Sequence, residues 1–261
     1  MKRLVLITIF LFGCEKFDLK TDNPLDPNNP EYVQPTISIL SPSDQETITT
    51  DKVDITFQGN ELVNEYRYEI ITTDIYKATD WSDWSASNTL SLEFLNEHTY
   101  TVNAQSRYLT EETSEDASVT FTIDALQPSS LLLYPKQIYP KANVLFKIDL
   151  YAHDLENVSA LEFVIEFDNT KMDFSESESQ VYGDVNVVFY NGTSKIYYTL
   201  GVYNSQTGFE KNQLIAEPYF LIKSNPPSSS STIKISSVSA KTFDGQTIEV
   251  VETNQSQVVI Q

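Results

Sequence analysis

The stretch VSALEFVIEFDNTKMDF, Val158–Phe174, decides the fold of this chain. Large apolar side chains recur at every second position of its first part, at Leu161, Phe163, Ile165 and Phe167. This alternation predicts a strand with one face in a core and the other toward solvent. The Asp168-Asn169 pair predicts a turn, and Met172 and Phe174 predict a short return.

The same alternation recurs in short segments along the rest of the chain, and no segment has helical periodicity. In residues 36–125 the predicted strands are Ile37–Leu40, Val53–Phe57, Tyr66–Ile71, Leu90–Phe94, Tyr100–Arg107 and Val119–Ile123. In residues 126–261 they are Leu131–Tyr134, Val144–Ala152, Ser159–Phe167, Val185–Tyr190, Ile196–Val202, Leu214–Lys223, Ile233–Lys241 and Val258–Ile260. The pattern predicts an all-β protein of two β-sandwiches in tandem, at 36–125 and 126–261.

Two short motifs support the sandwiches. The segment Leu95–Val102 resembles the L-x-x-x-x-Y-x-V corner of fibronectin III and related immunoglobulin-like domains. In that corner the hydroxyl of the tyrosine, here Tyr100, bonds to backbone a few residues upstream. Between two predicted strands of the second unit, Asn191-Gly192 is a strong hairpin signal.

The chain begins with the features of a lipoprotein signal peptide at residues 1–13. Lys2-Arg3 is a basic region, Leu4–Phe12 is apolar, and Leu11–Cys14 has the order of a bacterial lipobox. The apolar run is too short to cross about 30 Å of hydrocarbon. We expect Cys14, the single cysteine, to carry a lipid anchor, which places the protein at the bacterial cell envelope, on the periplasmic side or the cell surface. An ordinary secretory signal is the alternative.

Residues 14–35 are predicted to be a tether. Proline recurs in Asn23-Pro24, Asp26-Pro27, Asn29-Pro30 and Gln34-Pro35. Frequent proline opposes both helix and sheet interiors, so we expect extended polyproline II backbone.

Composition excludes several classes of function. The chain has 261 residues, of which 40% are hydrophobic, and a formal net charge of -20. Such a charge repels nucleic acid and anionic membrane surfaces, so nucleic acid is not an expected partner and the lipid is the expected contact with the membrane. With 7 glycines, glycine-rich phosphate loops are not expected.

Trp81-Ser82-Asp83-Trp84-Ser85 matches the WSxWS motif of cytokine-receptor domains. In those receptors the motif follows the tyrosine-corner strand, whereas here it precedes that strand, which argues against a receptor. Two interpretations of Trp81 and Trp84 stay open: one ring packs on the edge of the sandwich while the other is partly exposed, or the pair is a stacking platform for a sugar ring.

The order of elements in the C-terminal half resembles a cohesin module. Lys141-Ala142-Asn143 leads into a long strand, and Asn157–Asp168 matches a pattern of roughly G-x-x-F-x-hydrophobic-x-Y/F-D. Leu214–Lys223 takes the place of G-x-L-A-x-I-x-F, and Ser236–Gly245 that of A-x-x-x-D-G. Glu217-Pro218 departs from the pattern, and a proline there favours an edge or a bulge.

The resemblance implies a nine-stranded jelly-roll sandwich that binds a protein partner, since cohesins hold the dockerin modules of enzymes on one outer sheet face. By position, Ala160 and Glu162 fall where many cohesins place an Asn and an Asp that bond the dockerin. With Val164 and Glu166 they form the predicted partner-binding face, flanked by Val185–Tyr190 and Ile196–Val202. The alternative is a solvated strand face.

The sequence does not predict an enzyme, a cofactor or a metal site. His98 and His153 are the only histidines and fall in different predicted domains, without a nucleophile–base pattern. Glu162 and Glu166 are separated by roughly 13 Å along a strand, too far for a glycosidase pair. The acidic segments Glu111–Asp116 and Glu176–Glu178 are expected to be solvated loops.

Three functions remain. The first is a lipid-anchored scaffold whose cohesin-like module captures a protein, for example a dockerin-bearing polysaccharide-degrading enzyme. The second is a surface lipoprotein that binds carbohydrate directly. The third is a structural envelope lipoprotein.

Overall fold

The computed structural model describes residues 23–127, 129–155, 157–182, 185–190, 192–202, 209, 212–227 and 229–261. Every long regular element in these ranges is a β-strand, which confirms the all-β prediction. None of the described residues form a helix of the length and apolarity needed to cross a membrane. Cys14, the signal peptide and Asn191 of the predicted hairpin turn lie outside the described residues.

The first sandwich contains seven strands in two sheets. They are β1 (Ile37–Ser41), β2 (Glu46–Ile48), β3 (Val53–Gly59), β4 (Glu65–Thr72), β5 (Thr89–Leu92), β6 (Thr99–Arg107) and β7 (Ala117–Ile123). One sheet has the order β1-β3-β5 and the other β2-β7-β6-β4. The core between them consists of the alternate apolar residues that the sequence predicts, among them Ile55, Phe57, Tyr100, Val102 and Phe121.

The second sandwich packs a six-stranded against a seven-stranded sheet. Nine of its described strands have five residues or more: β8 (Ser130–Tyr134), β11 (Asp149–His153), β12 (Val158–Glu166), β13 (Met172–Val181), β14 (Val185–Tyr190), β15 (Lys195–Gly201), β16 (Asn212–Ile222), β17 (Ser230–Thr242) and β20 (Gln255–Val259). The shorter strands are β9 (Gln137–Ile138), β10 (Leu145–Lys147), β18 (Thr247–Ile248) and β19 (Glu252–Thr253). The sheets have the orders β10-β16-β11-β8-β19, with β13 beside β16, and β14-β15-β12-β17-β20-β9, with β18 beside β17.

Strand β12, which contains the alternating residues Leu161, Phe163 and Ile165, lies in the interior of the seven-stranded sheet. It pairs antiparallel with β15 on one side and with β17 on the other. Its inward residues Leu161, Phe163 and Ile165 are buried. The ring of Phe163 stacks on that of Tyr198, with centroids 4.7 Å apart and planes 11° apart.

The predicted strand Val144–Ala152 is wrong as a single strand, because β10 and β11 are separate. The break lies at Ile148, whose backbone N–H donates to the carbonyl of Pro218 at 3.1 Å. Proline offers no N–H in return, so the ladder cannot continue through this position. Strand β16 lies at the interior of the sheet, so the edge position expected for Pro218 is not found. The bulge opposite Pro218 is in β13, whose register shifts between Ser175, the partner of Tyr219, and Gln180, the partner of Glu217.

Strand β13 also differs from the prediction of a short return. It continues from Met172 to Val181 and pairs with β16 on both sides of a register shift between Ser175 and Gln180. Exposed Glu176 and Glu178 therefore belong to an irregular strand rather than to a loop. The bulge is held by Ser179, whose hydroxyl accepts a hydrogen bond from the backbone N–H of Tyr219 at 2.9 Å.

The described part of the tether is not extended polyproline II. Residues 23–32 form three successive turns, in which Asp26, Asn29 and Tyr32 each donate a backbone N–H to the carbonyl three residues earlier. The side chains of Asn23, Asp26 and Asn29 each accept a second bond from the backbone N–H two residues later. An Asx side chain before proline favours this turn over the extended chain.

The predicted tyrosine corner is present, and it joins the two sandwiches. The hydroxyl of Tyr100 donates to the carbonyl of Asn96 at 3.1 Å and accepts from the N–H of Asn96 at 3.0 Å. The side chain of Asn96 donates to buried Asp74 at 2.6 Å and accepts from the N–H of Lys136, in the second sandwich, at 2.9 Å. The hydroxyl of Tyr134 donates to Asp74 across the same junction at 3.3 Å.

Candidate functional site

The four predicted partner-binding residues share the outer face of β12. Because side chains alternate along a strand, Ala160, Glu162, Val164 and Glu166 point away from the core that Leu161, Phe163 and Ile165 enter. Strands β14 and β15 on one side and β17 on the other extend this face. We call the outer surface of β14, β15, β12 and β17 the sheet face.

An apolar row crosses the sheet face. The registers place Phe189 opposite Tyr197, and Tyr197 opposite Val164. Phe189 is 55% exposed and Tyr197 41%, and their ring centroids lie 6.1 Å apart. On the same edge strand, Val187 is 58% exposed. Large aromatic side chains that remain accessible in one contiguous row are typical of a binding surface.

A parallel row beside it begins at the apolar Val187 and is polar on the next three strands. Val187 lies opposite Thr199, Thr199 opposite Glu162, and Glu162 opposite Ser239. Glu162 is exposed, and among the described residues it has no ion-pair partner. Its carboxylate is therefore available to a donor on another molecule.

Glu166, unlike Glu162, is held in ion pairs. Its carboxylate forms ion pairs with Lys195 at 2.7 Å and with Lys234 at 3.2 Å. The hydrogen bond from Lys195 is the main cause that lowers the pKa of Glu166 to about 2. The carboxylate of Glu166 is thus fully paired, and one end of the sheet face carries a cluster of one carboxylate and two ammonium groups.

The other end of the sheet face has a shallow depression of about 360 Å³. Its lining includes Ala160 and Gly201, which leave space because their side chains are small, and Phe243, which is 50% exposed. The sheet face therefore has a shallow recess at Ala160 and Gly201 and an exposed aromatic pair, Phe189 and Tyr197, nearer to Glu166. This arrangement can hold a protruding side chain of a partner.

The two tryptophans lie against the outer edge of β4. The segment that carries them bonds to this strand through Tyr66 and Ser85 and through Tyr68 and Ser82. The guanidinium of Arg67 lies 4.8 Å from the ring centroid of Trp81 and 4.6 Å from that of Trp84, and Arg107 lies 4.5 Å from Trp84. Cation–π contacts therefore already occupy ring surface that a sugar would need.

A cluster of titratable side chains lies on the outer face of the other sheet, at the β10–β11 break. The ammonium of Lys147 contacts Asp149 at 3.0 Å and also pairs closely with Glu217, to which the hydroxyl of Tyr182 donates. Burial raises the pKa of Asp149, and the Lys147 hydrogen bond lowers that of Glu217. With a lysine between the carboxylates, the cluster is an ion network at an irregular strand junction.

The histidines, which the sequence assigns to separate domains, line one cavity. His98 precedes β6 and His153 ends β11, and both face a space at the junction between the sandwiches. No three His, Cys, Asp or Glu side chains in the described ranges come close enough together to hold a metal ion. The sequence offers no signal for this pairing, because it depends on how the two sandwiches dock.

The sequence predicts that the strands of Phe189 and Tyr197 flank the face, but it does not single out these two residues, and it does not indicate Phe243. The alternation in Val185–Tyr190 and in Lys195–Gly201 gives the outward positions once the pairing of β12, β14 and β15 is known. That pairing is a long-range property of the fold.

Comparisons with known proteins give similarity at the level of structure. No family model matches the sequence, and no curated protein matches it. A cohesin module of a family 33 glycoside hydrolase from Clostridium perfringens is 13% identical, with a TM-score of 0.43 over 51% of this chain and 96% of that one. A cohesin from Clostridium acetobutylicum is 12% identical, with a TM-score of 0.44 over 52% of this chain and 93% of that one. A type I cohesin–dockerin complex from Clostridium thermocellum is 10% identical, with a TM-score of 0.44 over 51% and 99%.

Proposed function

We propose that this protein is a non-catalytic binding and scaffold protein that captures a protein partner on the sheet face. The observation that supports this most is the exposed row of Phe189 and Tyr197 beside Glu162, whose exposed carboxylate has no ion-pair partner in the described part of the chain. An aromatic centre next to a polar group is the usual composition of a protein-binding surface. The face spans four neighbouring strands of one sheet, from the edge strand β14 to β17, so it is broad enough to bind a folded module.

The proposed partner is a dockerin module, including one carried by a polysaccharide-degrading enzyme. The support is the resemblance of Asn157–Asp168 and of the strand order to cohesins, together with the outward position of Glu162 on β12. In this proposal Glu162 accepts hydrogen bonds from the partner, and the apolar row packs against it.

The proposed location is the bacterial cell envelope, with the lipid on Cys14 as the contact to the membrane. This part rests on the signal-like residues 1–13 and on the single cysteine. In the proposal, the first sandwich is a spacer that carries the sheet face away from the membrane. A direct test is metabolic labelling with a fatty acid, which is expected to label the protein and not a Cys14→Ser variant.

Binding to a calcium-loaded dockerin module tests the main proposal by calorimetry with the full chain. We expect Phe189→Asp and Glu162→Lys each to weaken the affinity by about tenfold or more, which corresponds to about 1.4 kcal/mol. The matched control is Leu109→Asp, since Leu109 is 73% exposed in the first sandwich. Absence of binding, or an equal loss in the control, would contradict the proposal.

A further inference from the structure

A cavity of about 460 Å³ lies at the junction of the two sandwiches. We call it the junction cleft, and its lining residues are Glu97, His98, Leu132, Tyr134, Tyr151 and His153. The loop before β6 supplies the first two residues, and strands β8 and β11 of the second sandwich supply the rest. Its volume is in the range of small-molecule sites, and it lies on the sheet opposite the sheet face.

The walls of the junction cleft are held in place. On β8 and β11, Leu132 and Tyr151 are direct neighbours that point outward, while Leu133 and Leu150 enter the core. The ring nitrogen Nδ1 of His98 is within hydrogen-bond distance of the Thr73 hydroxyl, at 3.2 Å. The buried bonds of Asn96 and Asp74 across the junction keep both sides of the cleft together.

Aromatic rings dominate the lining. The rings of His98 and Tyr134 have centroids 6.0 Å apart, and those of Tyr134 and Tyr151 are 6.5 Å apart at an angle of 85°. His153 follows Tyr151 by two residues on the same strand face, roughly 7 Å further along. The aromatic rings thus line the cleft at different angles and present both ring faces and ring edges to a ligand.

The junction cleft offers the Tyr151 hydroxyl as a neutral hydrogen-bonding group. Burial raises the pKa of Tyr151, so its hydroxyl stays protonated, and among the described residues it has no hydrogen-bond partner. The charge of Glu97 is balanced by Lys136 at 3.2 Å. The net charge of -20 on the whole chain disfavours an anionic ligand.

We propose that the junction cleft binds a neutral oligosaccharide. Sugar rings combine flat apolar faces, which stack on tyrosine and histidine rings, with hydroxyls that pair with the Tyr151 hydroxyl. The site is distinct from Trp81 and Trp84, and it needs both sandwiches, because each supplies one wall.

The test is calorimetric titration of the full chain with maltotetraose, cellotetraose and mannotetraose, and with tetragalacturonic acid as an anionic comparison. We expect at least one neutral tetrasaccharide to bind more tightly than the acid. Tyr151→Ala is expected to weaken that binding more than about tenfold, whereas Tyr151→Phe, which keeps the ring, loses about threefold to tenfold. Backbone NMR signals at His98 and His153 are expected to shift.

Control variants distinguish the junction cleft from aromatic side chains elsewhere on the surface. Tyr139→Ala removes an exposed tyrosine outside the cleft and is expected to leave binding unchanged, as is the double variant Trp81→Ala/Trp84→Ala. His153→Gln provides a second cleft variant if Tyr151→Ala lowers the melting temperature. The proposal is overturned if no neutral tetrasaccharide binds, if cleft variants bind normally, or if the tryptophan variant abolishes binding. Dockerin binding, on the opposite sheet, is measured separately and does not depend on the result.

Discussion

Glu162 and Glu166 lie on one strand face, four residues apart, yet their surroundings make them chemically different. Glu166 is held between Lys195 and Lys234, whereas Glu162 faces Thr199 and Ser239 across the sheet. The sequence shows that both acids point outward but not which one is neutralised. The answer depends on lysines that arrive from β15 and β17, about 30 and 70 residues later in the chain.

The ion cluster at Glu166 predicts a pH dependence. Its pKa is lowered from 4.5 to about 2, mainly by Lys195. Because the folded-state pKa is below the unfolded value, the cluster stabilises the fold fully above pH 4.5, and that contribution is lost as the pH falls toward 2. We expect the side-chain carboxyl carbon signal of Glu166 in NMR to titrate with a midpoint of about 2.

In Lys195→Met the midpoint of the Glu166 titration should move toward 4.5, and in the control Lys241→Met it should not move. A midpoint near 4.5 in the unmodified protein would show that the ion pairs do not persist in solution.

At the scale of single elements, substitutions at adjacent positions of β12 are expected to change the free energy of unfolding by very different amounts. Phe163 is 2% exposed and stacks on Tyr198, whereas its neighbour Glu162 is exposed. Phe163→Ala leaves a cavity between the sheets and is expected to lower the free energy of unfolding by about 3–5 kcal/mol. Glu162→Ala is expected to stay within about 0.5 kcal/mol. Urea denaturation measures both, and similar losses in the two variants would mean that the faces of β12 are misassigned.

Strand identity follows from local sequence wherever large apolar residues alternate. That is why β3, β6, β7 and β12 lie within a few residues of their predicted bounds. The break between β10 and β11 cannot be predicted from local sequence, since it depends on Pro218, about 70 residues further along the chain. The later part of β13 does not follow either, because serine and glutamate alternate there without large apolar residues. The inward and outward faces of β12 were thus predictable, whereas Phe189 and Tyr197 required knowledge of the pairing.

At the scale of the whole molecule, buried polar groups join the two sandwiches. Asp74 is fully buried, and Asn96 and Lys136 are 3% and 4% exposed. A buried polar group without a partner is costly, so these bonds favour one relative orientation of the sandwiches. The proposed spacer and binding module would then move as one body, and the junction cleft would keep its shape. No local pattern in the sequence indicates that the sandwiches are joined in this way, because Asp74, Asn96 and Lys136 lie far apart in the chain.

Asn96→Ala tests the coupling between the sandwiches. The substitution removes the acceptor of the buried Lys136 N–H and a donor to Asp74, which costs about 1–3 kcal/mol for each group left unpaired. Since the backbone bonds of Asn96 to Tyr100 remain, we expect the first sandwich to stay folded while its orientation becomes free. Nitrogen-15 NMR relaxation should give one rotational correlation time for both sandwiches in the unmodified protein and two shorter ones in Asn96→Ala.

Asn103→Ala is the control, because the hydrogen bond from Asn103 to Glu69 lies within the first sandwich. Equal correlation times for the two sandwiches in Asn96→Ala would mean that the remaining contacts, such as Tyr76 against Tyr134, suffice to hold the junction.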